Sequence, residues 1–296
     1  MNIHHLELFY YVARHGGIME AVRNMPYGIQ QPAISGQILL LEADLGLKLF
    51  NRRPFELTPA GRELYEFVRP FFGNVEQVGE RIRGGTTQTV RLAAPVFALR
   101  EHLPGILQDV RVKFPNLRLT LRDAHQPMIE NLLDRQEIDF AITVIEGNPP
   151  SGLHCEPLLE MPIALLLPKG HKAKTAAEVL DALAAGAERE PLITFPPNEV
   201  IPRRFRDLLA KRGLEWTPSI EVTALELIDI YATNGFGIGL TVAVPGKKCP
   251  AGVRFVPLTE LPPIVIGAVW RGQLTTVNEA LLASLRTRAK GLLAAG

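Results

Sequence analysis

Apolar residues at the start of the chain fall at helical spacings and are punctuated by glycine and proline. In IHHLELFYYVAR, Ile3, Leu6, Phe9, Tyr10 and Ala13 share one face, and Gly16-Gly17 ends the helix. A second short helix is predicted from Ile18 to Asn24. MPYGIQQP then places Pro26, Gly28 and Pro32 close together, which is a turn. Pro32 suits a first helical turn, where its missing N–H costs nothing. The third helix runs through PAISGQILLLEADLG, with Ile34, Ile38, Leu41 and Leu45 on one face and Gly46 closing it. LKLFNRRPFELTP follows as a short two-stranded ribbon with Arg52, Arg53 and Pro54 at its tip. Helices joined by a tight turn and followed by such a ribbon predict a winged helix-turn-helix over residues 1–58.

From Pro59 one long helical pattern carries Leu64, Phe67, Val68, Phe71, Val75, Val78 and Ile82. A small domain cannot bury a stripe of that length alone, so a dimer seam is its natural sink. Pro70 should kink or break this helix. GGTTQT (84–89) reads as a linker, which makes 59–87 a connecting helix. Strands and helices then alternate to the end, the signature of parallel sheets covered by helices. The fold class expected is α/β with an N-terminal all-α winged helix-turn-helix. Residues 88–296 would form two lobes, the first from about 88–161 and 265–296, the second from about 162–264.

Composition changes this picture little. Hydrophobic residues make up 47% and charged residues 21%, as in ordinary globular proteins, and the net charge is +1. Charge by segment is more informative. Residues 1–58 hold Arg14, Arg23, Lys48, Arg52 and Arg53 against Glu7, Glu20, Glu42, Asp44 and Glu56, so the two signs balance. Nucleic-acid binding therefore rests on pattern here and not on charge. Cys155 and Cys249 lack metal-ligand spacing and read as reduced, mostly buried thiols. No metal site, cofactor motif or catalytic constellation is legible, so no enzyme is expected. Gly235-Phe-Gly-Ile-Gly239 precedes a strand instead of following one, which rules out a dinucleotide loop. The N-terminus lacks a signal-peptide pattern and no long apolar run occurs, so a cytoplasmic protein without membrane contact is expected.

Three stretches resemble the LysR-type transcriptional regulators: LELFYYVARHGGIMEAV (6–22), QQPAISGQILLLEADLGLKLF (30–50) and LTPAGREL (57–64). YATNGFGIGLTVAVP (231–245) is similar to a late glycine-rich segment of that family. The resemblance implies a winged helix-turn-helix, a dimerising linker helix and a periplasmic-binding-protein-like effector domain. It also implies a homodimer or homotetramer. The chain departs from the family pattern in a longer turn before Pro32, Gln30-Gln31 before the proline, Gly36 where arginine is common, and a shorter wing.

Candidate contacts follow. A helix entering the major groove reads bases near its N-terminus, and glutamine can pair bidentately with adenine. Gln30, Gln31, Pro32, Ser35 and Gln37 occupy that end, and Arg52 and Arg53 are placed for phosphate or the minor groove of double-stranded DNA. Gly36 would let the helix lie close to DNA or to a neighbouring helix. In doubly wound lobes ligands bind beyond the carboxyl ends of strands. Those edges carry Pro95, Val96 and Phe97, then His125, then Thr143 and Val144, then Thr194 and Phe195, then Thr223. Threonines and phenylalanines in place of anion-holding groups suit a semi-apolar or aromatic small-molecule effector. The competing expectation is a solute-binding α/β protein whose N-terminal helices serve only dimerisation.

Overall fold

The structure, a computed structural model, describes residues 2–84, 88–147, 149–150 and 152–294, with side chains for all of these except 74 and 76–84. The linker expected at 84–89 lies partly outside the described residues, as do the side chains of Val78 and Ile82. The chain divides into two compact units: Met1–Thr89 with Asn131–Ile138, and Val90–Glu130 with Asp139–Gly296.

The first unit begins with α1 (Ile3–His15), whose N-cap Asn2 accepts from the His4 N–H at 2.9 Å and whose end is Gly16 at φ 71°. After α2 (Ile18–Asn24) and α3 (Gln31–Leu45), Gly46 closes the third helix at φ 67°. Phe9, Tyr10, Ala21, Ile34, Ile38 and Leu41 from the three helices bury against one another, together with Leu49 and Phe50. The face of α3 read from periodicity is the one removed from water, whereas in α1 Phe9 and Tyr10 are buried as expected but Ile3 is exposed and Leu8, Tyr11 and Val12 are buried instead. β1 (Phe50–Arg52) and β2 (Phe55–Leu57) form the antiparallel ribbon, pairing Arg52 with Phe55.

α4 (Pro59–Gly84) runs through Pro70 without the break, one of the two expected outcomes. An interior proline costs about 3 kcal/mol. Tyr65, Val68 and Phe72 pack on the core on either side of it, which offsets that cost. The apolar stripe divides in two. Those residues face inward with Leu64, while Phe67, Phe71 and Val75 stay exposed, Phe67 by 79%. Residues 131–138 join this unit through the Tyr65 hydroxyl, which donates to the Asp134 carbonyl at 2.6 Å.

The second unit opens with β3 (Gln88–Ala94), α5 (Val96–Glu101), α6 (Leu103–Lys113), β4 (Leu117–Asp123), α7 (Gln126–Asp134), β5 (Phe140–Ile145) and β6 (Leu153–Met161). α5 and α6 meet at His102. Pro104 cannot donate within a continuing helix, but it fits the first turn of a new one. β7 (Ile163–Pro168), α8 (Ala176–Ala184), β8 (Leu192–Thr194), α9 (Val200–Lys211), β9 (Pro218–Glu221), α10 (Leu225–Thr233), β10 (Ile238–Val242) and β11 (Val253–Pro257) follow, then β12 (Ile264–Arg271) and α11 (Thr276–Ala294).

Two five-stranded sheets result, in the orders β4-β3-β5-β12-β6 and β11-β7-β10-β8-β9. The expectation of parallel sheets needs correction, because both are mixed. β3–β5, β8–β9 and β8–β10 are parallel pairs, whereas β12 is antiparallel to β5 and β6, and β7 to β10 and β11. The cause is the way the chain crosses between sheets. β6 passes into β7 through Pro162 alone, and β12 returns without a covering helix, so neither crossing is the helical connection that parallel neighbours require. β6 contains Pro157 and bulges where Gly267 of β12 faces it, which hides its alternation.

Candidate functional site

At the start of α3, Gln30 is an N-cap in extended conformation with no side-chain capping bond, and Pro32 sits in the first turn. Gln30, Gln31 and Pro32 are exposed, and Ser35 and Gln37 half-buried. The open polar end of α3 is thus available to an outside partner. A Cβ on Gly36 would meet nothing within 4 Å, so no neighbouring helix demands glycine there. Leu39 and Leu40, next on the helix, are also exposed.

The ribbon is pinned by α3 and α4. Glu42 accepts from the N–H groups of Leu49 at 2.8 Å and Phe50 at 3.3 Å. The Thr58 hydroxyl donates to the Lys48 carbonyl at 2.7 Å and accepts from the Gly61 N–H at 3.0 Å. A Cβ on Gly61 would stand 2.0 Å from the Leu49 carbonyl oxygen. Glu42, Thr58 and Gly61 therefore fix where the tip lies, and Arg52 and Arg53 are exposed on it.

In the second unit a cavity of about 190 Å³ lies where the two sheets face each other. Eight of the nine expected residues line it: Pro95, Val96, Phe97, His125, Thr143, Val144, Phe195 and Thr223. Thr194 does not. It is wholly buried, its hydroxyl has no partner, and its carbonyl accepts from the Val222 N–H at 2.9 Å. Successive strand residues face opposite ways, so Phe195 reaches the cavity and Thr194 cannot. His102, Gln126, Glu199 and Arg288 also line it, with Leu158 and Met161 of β6 and Leu285, Ala289 and Leu292 of α11. Sequence reasoning placed Gln126 beside His125 and missed the others; the C-terminal ones are brought to a strand edge only by the packing of α11 onto the first sheet.

Few polar groups meet in this cavity, and their states follow from burial. Glu199 precedes α9 and stands 3.9 Å from His125 across the cleft. Burial holds its carboxyl above the usual range, and His125 pulls partly against that. The two ring nitrogens of His102 are buried without partners. Burial first, and the Arg288 charge second, hold this imidazole below the ordinary histidine range, so it is neutral. Its ring meets Phe97 edge-on, with centroids 5.2 Å apart. Arg100 of α5 pairs with Glu226 of α10 at 3.0 Å, a second tie across the cleft. Where the strands cross between sheets, Glu146 pairs with Arg203 and, at 3.4 Å, with Arg204.

The glycines after α10 are explained by packing. A Cβ on Gly237 would stand 2.1 Å from the Pro191 carbonyl oxygen, and one on Gly239 would stand 2.6 Å from Ile228. Cys155 is half-buried, with burial raising its thiol pKa, whereas Cys249 is exposed and not buried as expected. Among the described residues no group of three or more His, Cys, Asp or Glu could hold a metal, and no helix is long and apolar enough to cross a membrane.

Residues 83–290 match the model of the LysR substrate binding domain, and residues 3–62 match that of the bacterial regulatory helix-turn-helix proteins of the lysR family. The chain belongs to the LysR family of transcriptional regulators. Among relatives of this LysR-family chain, the regulatory protein NocR of Agrobacterium fabrum is 28% identical over 241 residues, covering 79% of this chain and 78% of NocR. The transcriptional regulator AlsR of Bacillus subtilis is 28% identical over 257 residues, covering 84% and 82%. Among solved structures, HinK of Pseudomonas aeruginosa superposes with a TM-score of 0.57 at 24% identity, covering 97% of this chain and 98% of HinK. A full-length OxyR variant of the same organism gives 0.63 at 19%, with the same coverage. The helix-turn-helix match stands against the alternative in which the N-terminal helices only dimerise a solute-binding protein.

Proposed function

We propose that this LysR-type regulator acts in the cytoplasm as a homodimer or homotetramer and turns over no substrate. Its effector is a semi-apolar or aromatic small molecule held in the cavity between the two sheets. The observation that carries this reading is the cavity wall, where apolar side chains, among them Phe97, Val144, Phe195 and the leucines of β6, outnumber the polar groups. An effector seated there gains by removing apolar surface from water, at about 25 cal/mol per Å². The exposed row Phe67, Phe71 and Val75 on α4 supports self-association. Gln30, Gln31, Pro32, Ser35 and Gln37 meet the major groove, and Arg52 and Arg53 meet phosphate or the minor groove.

Gel-shift titrations on the gene's own upstream DNA at several salt concentrations test the DNA half. Specific binding that Gln31→Ala weakens more than non-specific binding is expected. A folded, dimeric protein that shifts nothing at low salt overturns the proposal. Sedimentation of the Phe67→Glu, Phe71→Glu double variant tests the seam, with dissociation expected.

A further inference from the structure

The cavity has a polarity that its apolar wall conceals. Its lining runs from His125, just beyond β4, to Leu158 and Met161 in β6. β4 and β6 are the two edges of a five-stranded sheet. At roughly 4.8 Å per strand the lining therefore spans nearly 20 Å. That suits an elongated occupant.

The two ends of this slot differ in charge. Near β4, Glu199 stands at the N-terminus of α9, where a helix would otherwise welcome an anion. Its own carboxylate makes no capping hydrogen bond there, but it lines the cavity and disfavours a second carboxylate beside it. At the N-terminus of α5, Pro95 offers no N–H, and Val96 and Phe97 offer only apolar side chains. Neither of these two strand edges therefore favours an anionic head. Near β6, α11 brings Arg288 to the cavity. Two residues earlier Arg286 is tied to Glu156, and elsewhere in the unit Arg91, Arg100, Arg203, Arg204 and Arg212 each pair with a carboxylate. Arg288 is the arginine of the lining, and among the described residues it has no ion pair or hydrogen bond. The neutral imidazole of His102 lies within reach of its field.

We infer that the occupant is an elongated amphiphilic monoanion whose head is anchored by Arg288 and whose apolar body crosses the sheet toward Phe97 and Phe195. This rests on the reading of the cavity as the effector site. An arginine meets a carboxylate through two parallel donors, and its solvent-facing position lets the head stay hydrated while the body is buried. Such a ligand enters tail-first, opposite in sense to one held by its anion at the strand edges.

Calorimetric titration of the full-length protein with octanoate and 4-phenylbutyrate, each beside its neutral alcohol and its amine, tests the inference. The wild type should prefer at least one acid over its alcohol and amine. Arg288→Gln should weaken that acid by about tenfold and the alcohol by less than about twofold. Glu199→Gln should leave the acid bound at least as tightly. Equal weakening of acid and alcohol, or none, overturns Arg288 as the anchor and leaves the apolar effector site standing. Preference for an amine that Glu199→Gln abolishes reverses the polarity and also overturns it. If no acid, alcohol or amine binds, the effector-site reading itself falls and takes the inference with it.

Discussion

The Lys247 ammonium stands 5.1 Å from the ring centroid of Phe97, a residue that lines the cavity from the first sheet's side. Lys247 belongs to the segment after β10 of the second sheet, and it is held by Asp229 of α10. Phe97 thus carries a cation on one side and the edge of His102 on another. The ion pair is largely buried, and the second oxygen of Asp229 has no partner. Lys247→Met should therefore strand a buried carboxylate and lower stability by about 1–3 kcal/mol. Adding Asp229→Asn should recover most of the loss. Denaturant midpoints of the two single variants and the double variant check this, and strictly additive losses would refute the coupling.

Glu199 gives a pH dependence of known sign. Its folded-state pKa is raised, so the folded protein holds that proton more tightly than the unfolded chain. The favourable contribution is complete below the unfolded value of about 4.3 and is lost as pH rises through the folded value. Above the folded value the ionised, poorly solvated carboxylate is a cost. Glu199→Gln should raise the melting temperature near neutrality, and the gain should shrink as pH falls toward the ordinary carboxylate range. A gain independent of pH would mean that burial of this charge is not its origin.

His102 responds in the opposite direction. Its folded-state pKa is lowered, so its contribution to stability is present above the unfolded value of about 6.5 and is lost as pH falls through the folded value. Arg288→Gln removes the second cause of the shift and should move the His102 titration upward, short of the free-histidine value because burial remains. NMR titration of the imidazole carbon-bound protons reads this directly. An unmoved His102 would separate the two side chains electrically.

Gly36 offers a test on the DNA side. With nothing within 4 Å of an added Cβ, Gly36→Ala should stabilise α3 by about 0.5–1 kcal/mol through helix propensity. Gly36→Arg adds one cation to a module of balanced charge. It should steepen the plot of log affinity against log salt by about one. An unchanged slope would place residue 36 away from the phosphates.

The elements that fold on local information were legible in the chain. Helical spacing fixed the face of α3 and the Phe9-Tyr10 part of α1, Gly16 and Gly46 their ends, and the Pro54 turn the ribbon. Each of these depends on residues a few positions apart, so propensity and period suffice. The strand edges were legible for the same reason, and they named most of one wall of the cavity. What the sequence withheld depends on distant partners. Pro70 stays helical because the core holds both of its flanks. β12 runs antiparallel because it returns from the other sheet. The orphaned hydroxyl of Thr194 is set by strand alternation against Val222. Above all, His102 and Glu199 come to one cavity from two helix ends, and Arg288 from within a third helix. No spacing rule joins residues that far apart in the chain. Only the packing of α11 against the first sheet, which buries Leu281, Leu282 and Leu285, decides that an arginine near the end of the chain faces the slot.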